Sequence, residues 1–172
     1  VTDNDKTDIG KGMPDFTYGI TLSAAWKGID FILFGTGSQG NDIYCCLNRV
    51  DYNLNRLKIF TADRWTESNR DGSMPKSTAT DYQKFMVSSG SVFDGSYFKI
   101  KQIQLGYTFP KQWVKKAALE NLRIYGSLED FITLTSYKGF DPEVTGVGSA
   151  LGVDKGTYPT SKKVVLGLSV TF

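Results

Sequence analysis

The chain is 172 residues long, enough for one domain with a sizeable core. A formal charge of +2 is too small to point to nucleic acid as a partner, and the absence of histidine removes Ser–His and Cys–His pairs, histidine bases and His-ligated metals from what this chain alone can build. Eighteen glycines, nine tyrosines and eleven phenylalanines favour a β-rich, turn-rich protein, and no stretch approaches the ~20 apolar residues of a transmembrane helix.

Residues 1–15 are polar, with two glycines and a proline in Val1–Pro14, and read as a loop. Phe16–Trp26 then alternates, with Phe16, Tyr18, Ile20, Leu22, Ala24 and Trp26 on one face and Thr17, Gly19, Thr21, Ser23 and Ala25 on the other. Lys27-Gly28 is a hairpin turn signal. The next strand, Ile29–Gly37, continues the apolar face through Ile29, Phe31 and Leu33 and sets Asp30, Ile32 and Phe34 opposite. Ser38–Gly95 has no sustained period and carries scattered charge, including Arg49, Asp51, Arg56, Asp63 and the polar run Glu67–Thr80. It also holds two adjacent cysteines, Cys45 and Cys46, whose bridging would be strained, so they do not read as a disulfide framework.

Strand pattern returns in Ser96–Phe109. Phe98 and Ile100 belong to one phase and Ile103, Leu105, Tyr107 and Phe109 to the other, so the switch near Lys101-Gln102 marks a bulge or, were the strand to cross a membrane, an outer end that leaves it. Pro110 stops the strand, and Lys111–Glu120 is a short basic connection of one or two helical turns. Asn121–Thr135 is the fourth strand, with Leu122, Ile124 and Leu128 outward and Arg123, Tyr125, Ser127 and Glu129 inward. Ser136–Thr160 is a second, glycine-rich loop.

The closing strand sets Val164, Leu166, Leu168, Val170 and Phe172 on one face and Val165, Gly167, Ser169 and Thr171 on the other. A soluble strand with one buried face alternates in the same way. The length and the small or polar second face also suit an outer-membrane barrel strand, which needs about 9–11 residues to cross. The terminal Phe172 resembles the signal by which bacterial barrel-assembly machinery recognises its clients.

Strand alternation sorts the connections. If Phe172 is periplasmic, both long segments are extracellular, both short turns are periplasmic, and Trp26, Phe109, Trp113 and Phe172 gather near one membrane face, as in an aromatic girdle. A soluble sandwich predicts no such sorting. The fold class expected is therefore all-β: about five C-terminal antiparallel strands of a large transmembrane β-barrel with long extracellular loops. Five strands do not close a barrel, whose smallest outer-membrane form has about eight. Residues 16–172 would be a C-terminal fraction of a longer wall. The chain opens on Val1 with no basic and apolar leader pattern, so the outer-membrane reading expects a signal upstream.

A series of short motifs runs in order: Phe16-Thr17-Tyr18-Gly19, Gly40-Asn41-Asp42, Asp63-Arg64-Trp65-Thr66, Asp94-Gly95-Ser96-Tyr97, Leu105-Gly106-Tyr107-Thr108 with Pro110, Tyr137–Glu143 and Gly156-Thr157-Tyr158-Pro159. Over nearly the whole chain the set resembles the C-terminal part of the SusC/RagA family of TonB-linked outer-membrane transporters of Bacteroidota. The resemblance implies a barrel of about 22 strands with an N-terminal plug. It also implies import of glycans or oligopeptides across the outer membrane of a Gram-negative bacterium. Energy would come from TonB through an N-terminal region outside this sequence. A SusD-like lipoprotein would serve as lid, the pairs would dimerise, and lipid would surround the wall. Val1–Asp5 looks like the end of a calcium-type family loop, with Asp5 as its last ligand and the other oxygens before Val1; calcium needs about six to eight of them. No other cofactor is implied. Cys45-Cys46 and Leu128-Glu129-Asp130-Phe131 depart from the family pattern.

Tyr97, Tyr125, Tyr137 and Tyr158 are the candidates for stacking on a substrate. The rival reading is a secreted soluble carbohydrate-binding β-domain that presents Trp65, Tyr137 and Tyr158 as sugar platforms. A glycosidase would need a carboxylate pair such as Asp141 with Glu143 or Asp63 with Glu67. Carboxylates in polar loops are usually solvated, and no catalytic role is assigned to them.

Overall fold

A computed structural model describes residues 3–47, 57–76, 85–144, 146 and 148–172; Arg49, Asp51, Arg56, the Ser77–Thr80 end of the polar run and Val1-Thr2 lie outside the described residues. The chain divides into two compact units, one of Thr17–Gly37, Phe98–Leu134 and Thr160–Phe172, the other of Val1–Phe16, Ser38–Tyr97 and Thr135–Pro159.

The first unit is built on an antiparallel sheet of five strands: β1 (Phe16–Trp26), β2 (Ile29–Gln39), β5 (Tyr97–Thr108), β6 (Asn121–Thr135) and β8 (Lys163–Thr171), neighbours in that order. Each has 9 to 15 residues, at or above what a tilted strand needs to cross a bilayer. Lys27 and Gly28 both take positive φ, 48° and 88°, as a two-residue hairpin turn between right-twisted strands requires. Lys111–Glu120 is a folded turn: a four-residue helix α1 (Lys111–Val114) runs into a 3-10 turn (Lys115–Ala117), and Ala118 in the left-handed region ends it. Both short connections lie at one end of the sheet with the end of β8, because Thr108 N–H donates to Gly28 and Glu120 N–H to Thr171.

The β6–β8 register keeps the two faces in step, with Ser127 opposite Val165 as the unlike pair. Leu122, Ile124, Gly126 and Leu128 face Val170, Leu168, Leu166 and Val164, while Arg123, Tyr125 and Glu129 face Ser169, Gly167 and Lys163. In β5 the phase slips by one residue. Phe98 stacks on Tyr18 with ring centroids 5.9 Å apart, and a Cβ on Gly35 would lie 2.6 Å from the Phe98 ring. This puts Phe98 on the apolar face, where Leu105 and Tyr107 also line a groove with Ile29 and Ile124. Residues 98 and 105 are an odd number of positions apart, so one extra residue is absorbed between them. That interval contains the phase change at Lys101-Gln102.

The second unit replaces the expected aperiodic loops with a small folded body. Its sheet has three short strands in the order β4–β3–β7, with β3 (Asp42–Cys45) antiparallel to β4 (Val92–Asp94) and parallel to β7 (Val153–Asp154). Ile43 and Cys45 are fully buried beneath it. An aromatic cluster completes the core, Phe60 meeting Phe85 and Phe93 edge-on and Phe93 meeting Tyr137 at 6.1 Å. The segment before β1, read as a loop, is pinned to this body: Asp42 N–H donates to Lys11 at 2.7 Å, Lys11 N–H to the Asp42 carboxylate, and Asp15 N–H to Gln39.

Candidate functional site: the two faces of the sheet

The apolar residues of the five strands are not inside anything. Leu22, Trp26, Leu105, Ile124, Leu134, Val164, Leu166 and Leu168 are all exposed, and Leu166 reaches 84%. Surface patches on soluble monomers rarely exceed a few hundred Å². Here the apolar surface extends across all five strands, and a bare face of this kind in water would carry a large hydrophobic penalty. Lipid is the solvent that suits it.

The opposite face carries polar and charged groups, several of which pair across strands, while the buried Ser127 Oγ and Asp130 Oδ1 have no hydrogen-bond partner among the described residues. The Arg123 guanidinium on β6 binds the Asp30 carboxylate on β2 in a fork, Nε to Oδ1 at 3.0 Å and Nη2 to Oδ2 at 2.5 Å. The pair crosses over β5 at Gly106. A Cβ there would lie 2.5 Å from both the Arg123 Nη2 and an Asp30 oxygen, so only glycine leaves room for the bridge. Arg123 also lies 5.0 Å from the Tyr125 ring centroid, and that ring covers Gly167 on the neighbouring strand. Lys101 faces Asp130 at 3.6 Å, and Lys163 faces Glu129 at 4.0 Å. Lys99 is 2% exposed and donates to Thr160 Oγ1 at 2.9 Å. A buried lysine held by an oxygen acceptor suits a polar lumen wall rather than the outside of a soluble sheet.

The four candidate tyrosines fall in four different settings. Tyr125 is on the polar face, half-buried by the Arg123 and Gly167 contacts. Tyr97 is half-buried at the start of β5, and Tyr158 is 85% exposed. Tyr137 does not offer a platform. It is buried, and its hydroxyl donates to Asp154 Oδ2 at 2.6 Å, while Asp154 Oδ1 accepts the Gly156 and Thr157 N–H groups. Burial, with the Asp154 hydrogen bond second, pushes its phenol far above the usual range, and burial also pushes the adjacent Cys45 thiol up. The sequence placed Tyr137 in a glycine-rich loop and gave no sign of the distant Phe93 and Asp154 that enclose it.

The loop carboxylates serve the backbone. Asp141 Oδ1 accepts the Glu143 N–H, closing a turn over Pro142. Asp63 accepts the Ser73 N–H at 2.9 Å and the Asn69 amide at 3.1 Å, and these bonds, the backbone one foremost, hold its carboxyl at about 2. The Asp94 carboxyl is held low by Ser96 first and by Ser136. Asp5 is exposed at the end of the 3-10 turn Asp3–Asp5. Among the described residues no three His, Cys, Asp or Glu side chains gather to hold a metal ion. Cys45 and Cys46 are free thiols.

A strand set that is apolar toward one side, cross-linked by charge on the other and long enough to span a bilayer defines a segment of an outer-membrane β-barrel wall. No protein-family model matches the chain. Known proteins do: it is 30% identical to "TonB-dependent receptor P3" and 28% identical to "TonB-dependent receptor P26", both of Formosa agariphila, over 98% and 100% of its length. It is 25% identical to "TonB-dependent receptor SusC" of Bacteroides thetaiotaomicron over its full length. It spans only 16% to 18% of these relatives. Among solved structures, the RagAB peptide importer in its closed-closed state superposes with a TM-score of 0.75 over the whole chain at 24% identity, covering 19% of that protein. A second structure, the RagAB peptide transporter, gives 0.72 over 94% of the chain and 17% of that protein at 26% identity. The chain is thus similar, along a fragment of their length, to TonB-dependent receptors, SusC among them, and to the RagAB importer in fold.

Proposed function

We propose that the chain is the C-terminal wall and outer loops of a TonB-dependent importer of glycans or oligopeptides in the outer membrane of a Gram-negative bacterium. In this reading a SusD-like lipoprotein covers the outer side, a plug and TonB-binding region belong to the rest of the protein, and two such pairs associate. The importer and receptor names of the relatives support it, and none of them is an enzyme by name.

The observation that carries the reading is the division of the sheet into an apolar face and an ion-paired one. The apolar face meets lipid and the Asp30–Arg123 face lines the lumen. The short turns are periplasmic, and the long segments, with Tyr158 among them, are outside. Tyr97, Tyr125 and Tyr158 are the aromatic surfaces left for substrate contact.

The test is fractionation of the source organism with antiserum to this segment. The account expects the segment in a polypeptide several times its own mass, in the outer-membrane fraction, released only by detergent. A detergent-free soluble monomer of 172 residues would instead support the carbohydrate-binding β-domain.

A further inference from the structure

The short-turn end of the sheet is charged as well as aromatic. Lys27 sits in the β1–β2 turn, and Lys111, Lys115 and Lys116 sit in the β5–β6 turn; Glu120 is the one acidic residue in the two turns. The turns are neighbours, joined through the Thr108–Gly28 hydrogen bond. Lys111, Lys115 and Lys116 are exposed, and among the described residues no carboxylate pairs with them. The turn that bears them is fixed in place. Val114 is buried, Trp113 N–H donates to Pro110 at 2.9 Å, and Leu119 N–H returns to Val114 at 3.2 Å. Three exposed aromatics mark the boundary between this basic end and the apolar face: Trp26, Trp113 and Phe172. Lys27 lies over the Trp26 ring at 4.7 Å.

Aromatic rings beside lysines at the rim of an apolar band set those lysines at headgroup depth. A compact ammonium there pairs with phosphate, and an uncompensated row of them favours lipids with net negative charge. We propose that Lys27, Lys111, Lys115 and Lys116 form a binding surface for the headgroups of anionic phospholipids. The inference rests on the barrel-wall reading. It adds a lipid preference confined to one end of the wall, the end where that reading places the periplasmic leaflet.

The test uses the intact receptor that contains this segment, purified in detergent and mixed with vesicles of phosphatidylcholine alone or of phosphatidylcholine with phosphatidylglycerol. Flotation reports insertion, and mass spectrometry of re-extracted protein reports the lipid retained. Wild-type protein should float with both vesicles and retain phosphatidylglycerol in preference. Replacing Lys111, Lys115 and Lys116 by Gln should leave flotation unchanged and reduce that preference by about fivefold per lysine. Replacing Lys58, Lys76 and Lys138 in the other unit by Gln should leave the preference intact. Equal retention of the two lipids by wild-type, or an undiminished preference in the Lys111/Lys115/Lys116 variant, overturns the proposal and leaves the wall reading standing. Failure to float with either vesicle overturns both.

Discussion

The two units solve the same problem, where to put apolar side chains, in opposite ways. The three-stranded unit behaves like a small soluble protein. Ile43, Cys45, Phe60 and Tyr137 go inside, and the buried Asp154 is satisfied by a hydroxyl and two backbone N–H groups. The five-stranded unit turns its aliphatic residues outward and keeps Lys99, Asp30 and Arg123 on the other face. The difference lies in which face of the strand meets which solvent, so the same substitution should have opposite consequences in the two places.

The largest expected effect comes from charging the outward face. Leu168→Arg in β8 should cost about 2–4 kcal/mol near the bilayer midplane, whereas Ser169→Arg, one residue along on the polar face, should cost much less. Folding titrations of the intact protein into phospholipid vesicles measure both, and comparable losses would defeat the assigned phasing. Next is the core of the loop unit. Asp154→Ala strands the Tyr137 hydroxyl and two backbone donors and should cost about 3 kcal/mol, read as lost protection of the Gly156 and Thr157 amides in hydrogen exchange with the sheet unaffected. A smaller effect is expected at Gly106→Ala. The added methyl displaces the Asp30–Arg123 fork at a cost of about 1–3 kcal/mol. That loss should shrink in an Asp30→Asn background, where the fork is already weakened, and full additivity would refute the coupling.

The smallest effect separates the units by pH. Asp63 is held at about 2 when folded, below the ordinary value of 3.8, so its contribution is present above pH 4 and is lost as pH falls from about 4 to 2. The loss should be local, because Asp63 ties the Ser73 and Asn69 ends of one turn. Hydrogen exchange between pH 4 and pH 2 should show the protection of the Ser73 amide falling, and Asp63→Asn should abolish that dependence. Unchanged acid sensitivity in the variant would place its origin elsewhere.

The long strands were legible because their period persists. β1 and β6 begin and end where alternation does, and the phase change near Lys101-Gln102 lies within the interval that holds the slip in β5. β2 runs on to Gln39, past Gly37, because Ser38 and Gln39 still pair although the alternation has faded. The loop unit was illegible for the converse reason. Strands of two to four residues show no period, and their partners lie far along the chain, as Cys45 with Asp154 and Asp42 with Asp94. Tyr137 looked accessible for the same reason: Phe93 and Asp154 reach it only through tertiary structure. Of the polar face, alternation showed Asp30 and Arg123 pointing the same way. It did not show that Gly106, one letter in a Leu-Gly-Tyr-Thr motif, lets them meet.

The most direct test of the account is a scan of lipid contact along β8 of the intact, membrane-inserted protein. Single cysteines from Val164 to Thr171, in a background lacking Cys45 and Cys46, would carry a fluorophore quenched by bilayer-embedded nitroxides. The account predicts strong quenching at Val164, Leu166, Leu168 and Val170 and weak quenching at Val165, Gly167, Ser169 and Thr171. Quenching without alternation, or uniform exposure to water, would contradict it.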